Sequence, residues 1–390
     1  MNSFLAAERA LRTAAPHRLV DALREVLRTE HAAESVDLLM ADYALTVLQP
    51  VPTQSHTAEP VSLPMHGSTA GRAFGAQDPV VEELGDLVRI HLPVTVRGDR
   101  LGVLTVTLPA GEADGALPEL ADIAEVLGHE LVVATRDTDV YMRASRRERL
   151  TLAAEMQWQL LPGRSCARPE YALGAQLEPA YAIFGDNFDW SAGPDRLMIY
   201  ITNGMGEGIE ASLLTNLGIN ALRNARRAGI SIEDQAALAD QAIYAQHRGS
   251  AYLSVLLLDV ELSTGRMKVV DAGSPRMLRL RGRSVETMDF EAQLPLGMFE
   301  ETDYVAQEIR MEPGDRLVFV SDGVYAVSAP GGESYGEKAL AKAIAATRLL
   351  PAAEVPGAVL RELTHHRGGP DSQDDALVVC LDWFGQQGAP

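Results

Sequence analysis

Four short polar segments in the second half of the chain lie at or beside the ends of apolar runs that are typical of β-strands. They are Gly185–Asp189, Thr202–Gly206, Ser321–Gly323 and Asp374–Asp375. Carboxylates brought to strand ends from distant segments indicate a hard-cation site, because Mg²⁺ and Mn²⁺ prefer oxygen ligands. One segment carries Asn203 where such a site would prefer a charge. The pattern therefore predicts a metal site with one neutral member.

Length and charge limit the classes of protein to consider. A chain of 390 residues is long enough for two or three domains, and an apolar fraction of 46% is sufficient for packed cores. The net charge of −20 argues against a nucleic-acid-binding surface, which needs basic residues. Cys166 and Cys380 are far apart, so we expect no disulfide scaffold and a reducing compartment.

Targeting signals are also absent from the sequence pattern. The first residues lack the apolar core of a signal peptide, and no run of 18 apolar residues predicts a membrane span. We therefore expect a cytoplasmic protein without membrane partners.

The first part of the chain, residues 1–135, predicts a mixed α/β domain. Alternating apolar residues from Val88 to Val96, a turn at Arg97–Arg100 and a return over Leu101–Leu108 predict a β-hairpin. A helix around Arg18–Arg28 precedes it, and an apolar stripe from Leu120 to Leu131 predicts a closing helix.

This arrangement, with the Leu-Pro-Val and Gly-Asp-Arg-Leu-Gly-Val-Leu segments of the hairpin, resembles a GAF sensor domain over roughly residues 15–135. The resemblance implies that the domain binds a small ligand. The histidines are scattered, and we find no Cys/His cluster for haem or metal in the sequence.

Residues 136–162 are predicted to form a charged linker helix. The basic run Arg146–Arg149 precedes Leu152, Met156 and Leu160, which are spaced at i, i+4 and i+8, and Pro162 ends the helix. A narrow apolar stripe on such a helix is compatible with a homodimer formed through the linker. The alternative is that the stripe packs on the helix's own catalytic domain.

The third part, residues 163–390, predicts an α+β domain with antiparallel sheets, because several strands follow one another through short turns. Predicted strands cover Ala172–Leu177, Leu197–Thr202, Tyr252–Asp259, Met267–Asp271, Met277–Leu280, Leu317–Ser321 and Ala376–Leu381. Predicted helices cover Gly208–Ala225, Ile232–Gln246, Glu337–Ala346 and Val355–Thr364.

Seven motifs of this part occur in the order seen in SpoIIE/RsbU-type phosphatases, which are metal-dependent PPM (protein phosphatase 2C-like) serine/threonine phosphatases. The motifs occupy residues 154–162, 184–189, 203–208, 271–275, 294–297, 313–324 and 374–379. The resemblance implies a β-sandwich flanked by helices and a site for two Mn²⁺ or Mg²⁺ ions. It also implies a metal-activated water that attacks phosphoserine or phosphothreonine, with targets that are commonly anti-sigma-factor antagonists.

The resemblance assigns roles to individual residues. Asp186, Asp322 and Asp374 match metal ligands, through which the activated water performs catalysis, and the Gly204 carbonyl matches a backbone ligand. Each aspartate taken alone could instead be a turn or cap residue beside a glycine. The chemistry fits, since two adjacent metal ions can both generate a nucleophile and hold phosphate oxygens.

The chain departs from the family pattern at the metal site. Asn203 stands where the family has the aspartate that bridges both metals, and Glu207 stands where histidine is frequent. A neutral amide weakens metal affinity, and Glu207 is a candidate for restoring the missing charge. Asp189 and Asp375 either support the ligands from behind or are solvated.

These observations predict a sensor-controlled phosphatase that acts on a regulatory phosphoprotein. The competing hypothesis is a degenerate phosphatase fold that binds a phosphoprotein or another partner without turnover. The metal site, with three carboxylates and Asn203, distinguishes the two.

Overall fold

The computed structural model describes residues 3–52, 61–146, 149–178, 184–329, 331–369 and 374–386. The chain divides into two compact units, Met1–Arg149 and Leu150–Pro390. None of the helices in the described ranges has the length and apolar character needed to cross a bilayer.

The first unit is built on one antiparallel sheet with strand order β3-β2-β1-β6-β5-β4. Its strands are β1 Ser35–Ala41, β2 Val47–Pro50, β3 Leu63–Pro64, β4 Val80–Leu84, β5 Leu87–Val96 and β6 Asp99–Pro109. Its helices are α1 Ser3–Thr13, α2 Leu19–His31, α3 Thr69–Ala76, α4 Ala113–Ala134 and α5 Val140–Ala144.

The predicted hairpin is present as β5 and β6. Arg97 and Gly98 connect the strands with positive φ angles of 52° and 92°, a turn geometry that matches the twist of a hairpin. Alternate residues of β5, from Val88 to Val94, are buried in one core with residues of α1, α2 and α4. Phe74 of α3 belongs to a smaller cluster with Leu39 and Val103 of the sheet. The GAF-like character of this unit stays a prediction.

The segment predicted as one linker helix contains two short helices instead. Helix α5 ends at Ala144, and α6, Leu152–Leu160, begins after Thr151, whose hydroxyl accepts a hydrogen bond from the Ala154 amide. This cap starts a new helix because it satisfies an amide of its first turn. The division between the compact units falls inside this segment, and α6 belongs to the second unit.

The second unit consists of two antiparallel sheets with helices. The first sheet has the order β15-β12-β11-β10-β9 and the second β14-β13-β16-β17-β8-β7. The strands are β7 Ser165–Arg168, β8 Tyr171–Glu178, β9 Asp186–Ala192, β10 Arg196–Gly204, β11 Leu253–Glu261, β12 Arg266–Ala272, β13 Arg276–Arg281, β14 Ser284–Met288, β15 Gln307–Arg310, β16 Arg316–Val320 and β17 Ala376–Trp383. The remaining helices are α7 Gly208–Arg227, α8 Ile232–His247, α9 Asp322–Tyr325, α10 Leu340–Ala346 and α11 Val355–Arg367.

The two sheets form a sandwich between helical layers. Leu257 of β11 shares a buried cluster with residues of α7 and α8, whereas Val378 of β17 shares another with residues of α10 and α11. Leu256 and Leu258, on the opposite face of β11, are also buried, and β8 and β17 contact β9 across the sandwich. The predicted α+β class and the β-sandwich flanked by helices are confirmed.

Candidate functional site

The hairpin of β9 and β10 places the first two members of the site side by side. Asp186 is the first residue of β9 and lies opposite Asn203, near the end of β10. Asn203 also lies opposite Ser254 at the start of β11. The end of the first sheet therefore presents Asp186 and Asn203 together.

The second sheet delivers the other carboxylates through β16 and β17. Strand β16 ends at Val320, Ser321 follows, and Asp322 begins α9. Strand β17 begins just after Asp374 and Asp375, and the Leu377 amide donates a 3.0 Å hydrogen bond to the Ser321 hydroxyl. Residues from four segments of the chain thus meet at one edge of the sandwich.

Gly204 lies at the end of β10, where only glycine fits. Its amide donates to the Gly185 carbonyl, which also accepts a 2.7 Å hydrogen bond from the Thr215 hydroxyl. A Cβ atom at position 204 would lie 2.5 Å from that hydroxyl oxygen. The close packing explains the glycine, and its carbonyl as a metal ligand stays a prediction.

Asp186 is the electrostatic centre of the site. Its side chain is fully buried, and neither carboxylate oxygen has a hydrogen-bond partner in the part of the chain that the structure describes. Burial and then the charge of Asp375 raise its pKa well above the usual range; the nearby Ser321 hydroxyl opposes the rise, while Asp322 and Asp374 add to it. A buried carboxylate among like charges requires either a proton or a cation.

Asp374 is perturbed in the same direction. Burial, followed by the charge of Asp322, raises its pKa to about 6, while the Asp375 amide opposes the rise by donating a 2.8 Å hydrogen bond to its Oδ1. Asp374 and Asp322 are therefore close enough to repel each other across the site.

Asn203 contacts Asp322 directly. The Asn203 side-chain amide donates a 2.5 Å hydrogen bond to Oδ1 of Asp322, which also accepts one of 3.2 Å from the Gly323 amide. An aspartate at position 203 could not make this contact without sharing a proton. The amide therefore relieves part of the repulsion that a further carboxylate would add.

A contact that the sequence pattern did not predict links α6 to the site. The Gln157 side-chain amide donates 2.8 Å hydrogen bonds to the Asp186 carbonyl and to Oδ2 of Asp375. Asp375 is fully buried, and the same Oδ2 accepts a 3.0 Å bond from the Phe184 amide. The only sequence signal was a glutamine between Met156 and Trp158 in an otherwise largely apolar helix.

The structure places Asp189 and Glu207 outside this cluster of carboxylates. Asp189 is buried, and Arg223 and Arg226 of α7 donate to its carboxylate at 2.7 Å and 2.8 Å. Glu207 is exposed just before α7, and its side chain has no hydrogen bond or ion pair with another residue that the structure describes. Asp189 thus anchors α7 to β9, and a metal role for Glu207 would require its side chain to move.

The donor set fits a hard cation in its chemistry, because carboxylate oxygens surround a buried aspartate that lacks a partner. Within the described residues, however, no three His, Cys, Asp or Glu side chains are arranged so that they could hold a metal ion. The Asn203–Asp322 hydrogen bond uses one of the oxygens that coordination would need. The residue types therefore suit a hard cation, whereas the present side-chain arrangement leaves Asp322 engaged with Asn203.

Comparison with known proteins agrees with this fold. Residues 193–384, within the second unit, match the family model described as Stage II sporulation protein E (SpoIIE). The solved PP2C phosphatase domain of SpoIIE from Bacillus subtilis, with a fragment of its regulatory domain, has the same fold at a TM-score of 0.50. It is 17% identical, and the alignment covers 78% of this chain and 82% of that one.

Two further relatives align with a smaller part of this chain. Phosphoserine phosphatase RsbU of Bacillus subtilis is 21% identical over 52% of this chain, and Protein IcfG of Synechocystis sp. is 20% identical over 60%. The matched regions span 61% of RsbU and 41% of IcfG. The predicted resemblance to SpoIIE/RsbU-type phosphatases is confirmed.

Proposed function

We propose that the second unit is a metal-dependent phosphatase that hydrolyses phosphoserine or phosphothreonine on a regulatory protein. The observation that carries the proposal is Asp186, a fully buried carboxylate without hydrogen-bond partners among the described residues, close to Asp322, Asp374 and Asp375. Burying this group as an anion is costly unless the site binds a cation, and without one the carboxylate takes up a proton.

The ligands we propose for Mn²⁺ or Mg²⁺ are Asp186, Asp322, Asp374 and the Gly204 carbonyl. When bound, the cations would supply an activated water and neutralise the phosphate. The chain's own residues orient this set: Gln157 and the Phe184 amide fix Asp375, whose amide in turn holds Asp374.

Asn203 sets the expected strength of metal binding. As a neutral donor it contributes less attraction than a carboxylate, and cation binding by Asp322 must compete with its present hydrogen bond. We therefore propose a weaker divalent site than a four-carboxylate site would form. A compensating role for Glu207 is a hypothesis that Glu207→Gln tests.

We also propose a regulatory role for the first unit and a class of protein substrate for the second. The first unit would act as a sensor for a small ligand, and the segment 136–162 would connect it to catalysis or to a second copy of the chain. An anti-sigma-factor antagonist is the proposed class of phosphoprotein substrate, and nucleic acid and membranes are not proposed partners because the net charge is −20.

The experiment is a Mn²⁺-dependent assay with p-nitrophenyl phosphate and a phosphoserine peptide. We expect turnover by the wild type, and a loss of about 100-fold or more in Asp322→Asn, because the cation loses a charged ligand. Asp303→Asn, at an exposed position, is the charge-matched control and should retain full activity.

The alternative function has its own outcome in this assay. If the wild type binds the phosphopeptide but releases no phosphate at any Mn²⁺ concentration, the proposed phosphatase activity is contradicted. That result would favour a non-catalytic binding module. The Asn203–Asp322 hydrogen bond is the contact that would favour such a module, because it occupies Asp322 without a metal.

A further inference from the structure

Arg276 lies beside the candidate site on the second sheet. It is the first residue of β13 and pairs with Val320, the last residue of β16, two positions before Asp322. A permanently charged guanidinium therefore lies at the sheet edge that carries the carboxylates.

The guanidinium group is held on an aromatic platform. The Arg276 Cζ atom lies 3.7 Å from the centroid of the Tyr325 ring, and Tyr325 is the last residue of α9, the helix that Asp322 begins. The Tyr325 hydroxyl donates a 2.8 Å hydrogen bond to the Ser274 carbonyl, which fixes the ring. A guanidinium stacked in this way keeps its in-plane N–H groups available for an anion.

The other arginines of β13 and β16 each have a carboxylate partner. Arg279 pairs with Glu286, Arg281 with Asp315, and Arg316 with Asp382. Arg276 is exposed and forms no ion pair with any carboxylate in the ranges that the structure describes. Its charge is thus left uncompensated on a protein with a net charge of −20.

The Tyr325 hydroxyl is close enough to both Arg276 and the carboxylates to be affected by their charges. Burial and then the charge of Asp322 raise the pKa of the Tyr325 hydroxyl, while Arg276 opposes this rise and Asp186 adds to it. Arg276, Asp322 and Asp186 therefore all lie within electrostatic range of the Tyr325 side chain.

We propose that Arg276 binds the phosphate of the substrate, with its N–H groups on two non-bridging oxygens of a phosphomonoester dianion. The proposal rests on the proposed function. A cluster of carboxylates repels a dianion, so a fixed cation beside it favours phosphate binding in addition to the proposed metal ions, and a planar guanidinium can form two hydrogen bonds to the phosphate. The preorganised stacking lowers the entropy that binding would otherwise cost.

The test measures binding of a peptide that carries a non-hydrolysable phosphonate in place of phosphoserine, by fluorescence anisotropy with Mn²⁺. We expect Arg276→Gln to weaken binding about tenfold or more, because a charge-assisted hydrogen bond is lost. Arg276→Lys should retain an intermediate affinity, since lysine keeps the positive charge but lacks the planar pair of N–H donors that a guanidinium presents to two oxygens. Binding of the unmodified serine peptide should be the same in all variants.

Arg283→Gln is the matched control. Arg283 is exposed between β13 and β14 and, among the described residues, also has no ion pair. Equal affinity of wild type and Arg276→Gln, an equal loss in Arg283→Gln, or no phosphonate binding by the wild type would each overturn the proposal. If phosphonate binding depends on Arg276 but the protein does not hydrolyse a phosphoserine peptide, this inference stands and the proposed phosphatase activity is refuted.

Discussion

The side-chain amide of Asn203 donates a 2.5 Å hydrogen bond to Oδ1 of Asp322, a residue 119 positions away. The contact joins the two sheets of the sandwich at the edge where the carboxylates converge, since Asn203 is the last residue but one of β10 and Asp322 begins α9 just after β16. Binding of the proposed cation by Asp322 would have to break this contact. We therefore expect Asn203 to shift the balance between the metal-free and the metal-bound protein.

Replacing Asn203 by aspartate should reverse this balance. Without metal, Asn203→Asp loses the donor and adds a charge facing Asp322, so we expect a loss of about 1–3 kcal/mol in the free energy of unfolding. With Mn²⁺, the added carboxylate should tighten binding about tenfold. Thermal unfolding in EDTA and titration calorimetry measure the two effects.

Asn220→Asp is the control, because Asn220 is exposed on α7 and receives the same change of charge. It should alter neither quantity. If Asn203→Asp left both the stability in EDTA and the Mn²⁺ affinity unchanged, residue 203 would not belong to the site.

Asp186→Asn should separate folding from metal binding. The variant removes a buried carboxylate whose pKa is raised by burial and by Asp375, and its amide can donate to the neighbouring carboxylates. We expect the free energy of unfolding in EDTA to rise by about 1 kcal/mol, while the stabilisation by Mn²⁺ disappears. Denaturant unfolding with and without Mn²⁺ checks this, and undiminished stabilisation by Mn²⁺ would exclude Asp186 as a ligand.

Much of the second unit could be predicted because local patterns determine it. The apolar runs identified β8, β10, β11, β12, β13, β16 and β17 and helices α7, α8 and α11. Strand β9 was not predicted, because its sequence Asp-Asn-Phe-Asp-Trp-Ser-Ala contains several polar residues that are buried only in the folded sheet. The strand-end aspartates were found, because their positions depend on the same local patterns.

Contacts between distant segments could not be predicted in the same way. The pairing of Asp189 with Arg223 and Arg226 depends on how α7 crosses β9, and the bridge from Gln157 to Asp375 spans 218 positions. Neither contact corresponds to a periodic pattern or to a characteristic motif spacing in the sequence. Such contacts follow only from tertiary packing, which the local pattern does not encode.

The stability of the metal-free protein should increase as the pH falls from about 7.5 towards 5. Burial raises the pKa of Asp374 and of Asp271 to about 6, so between pH 6 and their ordinary range the folded state binds more protons than the unfolded state. By linkage, the free energy of unfolding then rises as the pH falls. Because Asp374 is partly exposed, solvent screening limits its contribution to about 1 kcal/mol.

Urea unfolding in EDTA across this pH range measures the effect. Asp374→Asn and Asp271→Asn should each flatten part of the curve. With saturating Mn²⁺ the dependence should reverse, because protons then compete with the cation for Asp374. A metal-free protein that loses stability steadily between pH 7.5 and 5 would contradict these raised pKa values.

Gln157 should couple helix α6 to the stability and the activity of the site. Gln157→Leu removes the donor to the Asp186 carbonyl and to Asp375, leaving the buried Asp375 carboxylate with fewer hydrogen bonds. We expect a loss of about 2–3 kcal/mol in the free energy of unfolding and weaker Mn²⁺ binding. Gln159→Leu is the matched control, since Gln159 is exposed on the same helix and, among the residues that the structure describes, donates to Glu155 alone. If the two variants lose equal stability and bind Mn²⁺ equally well, the bridge from α6 has no role in holding the site.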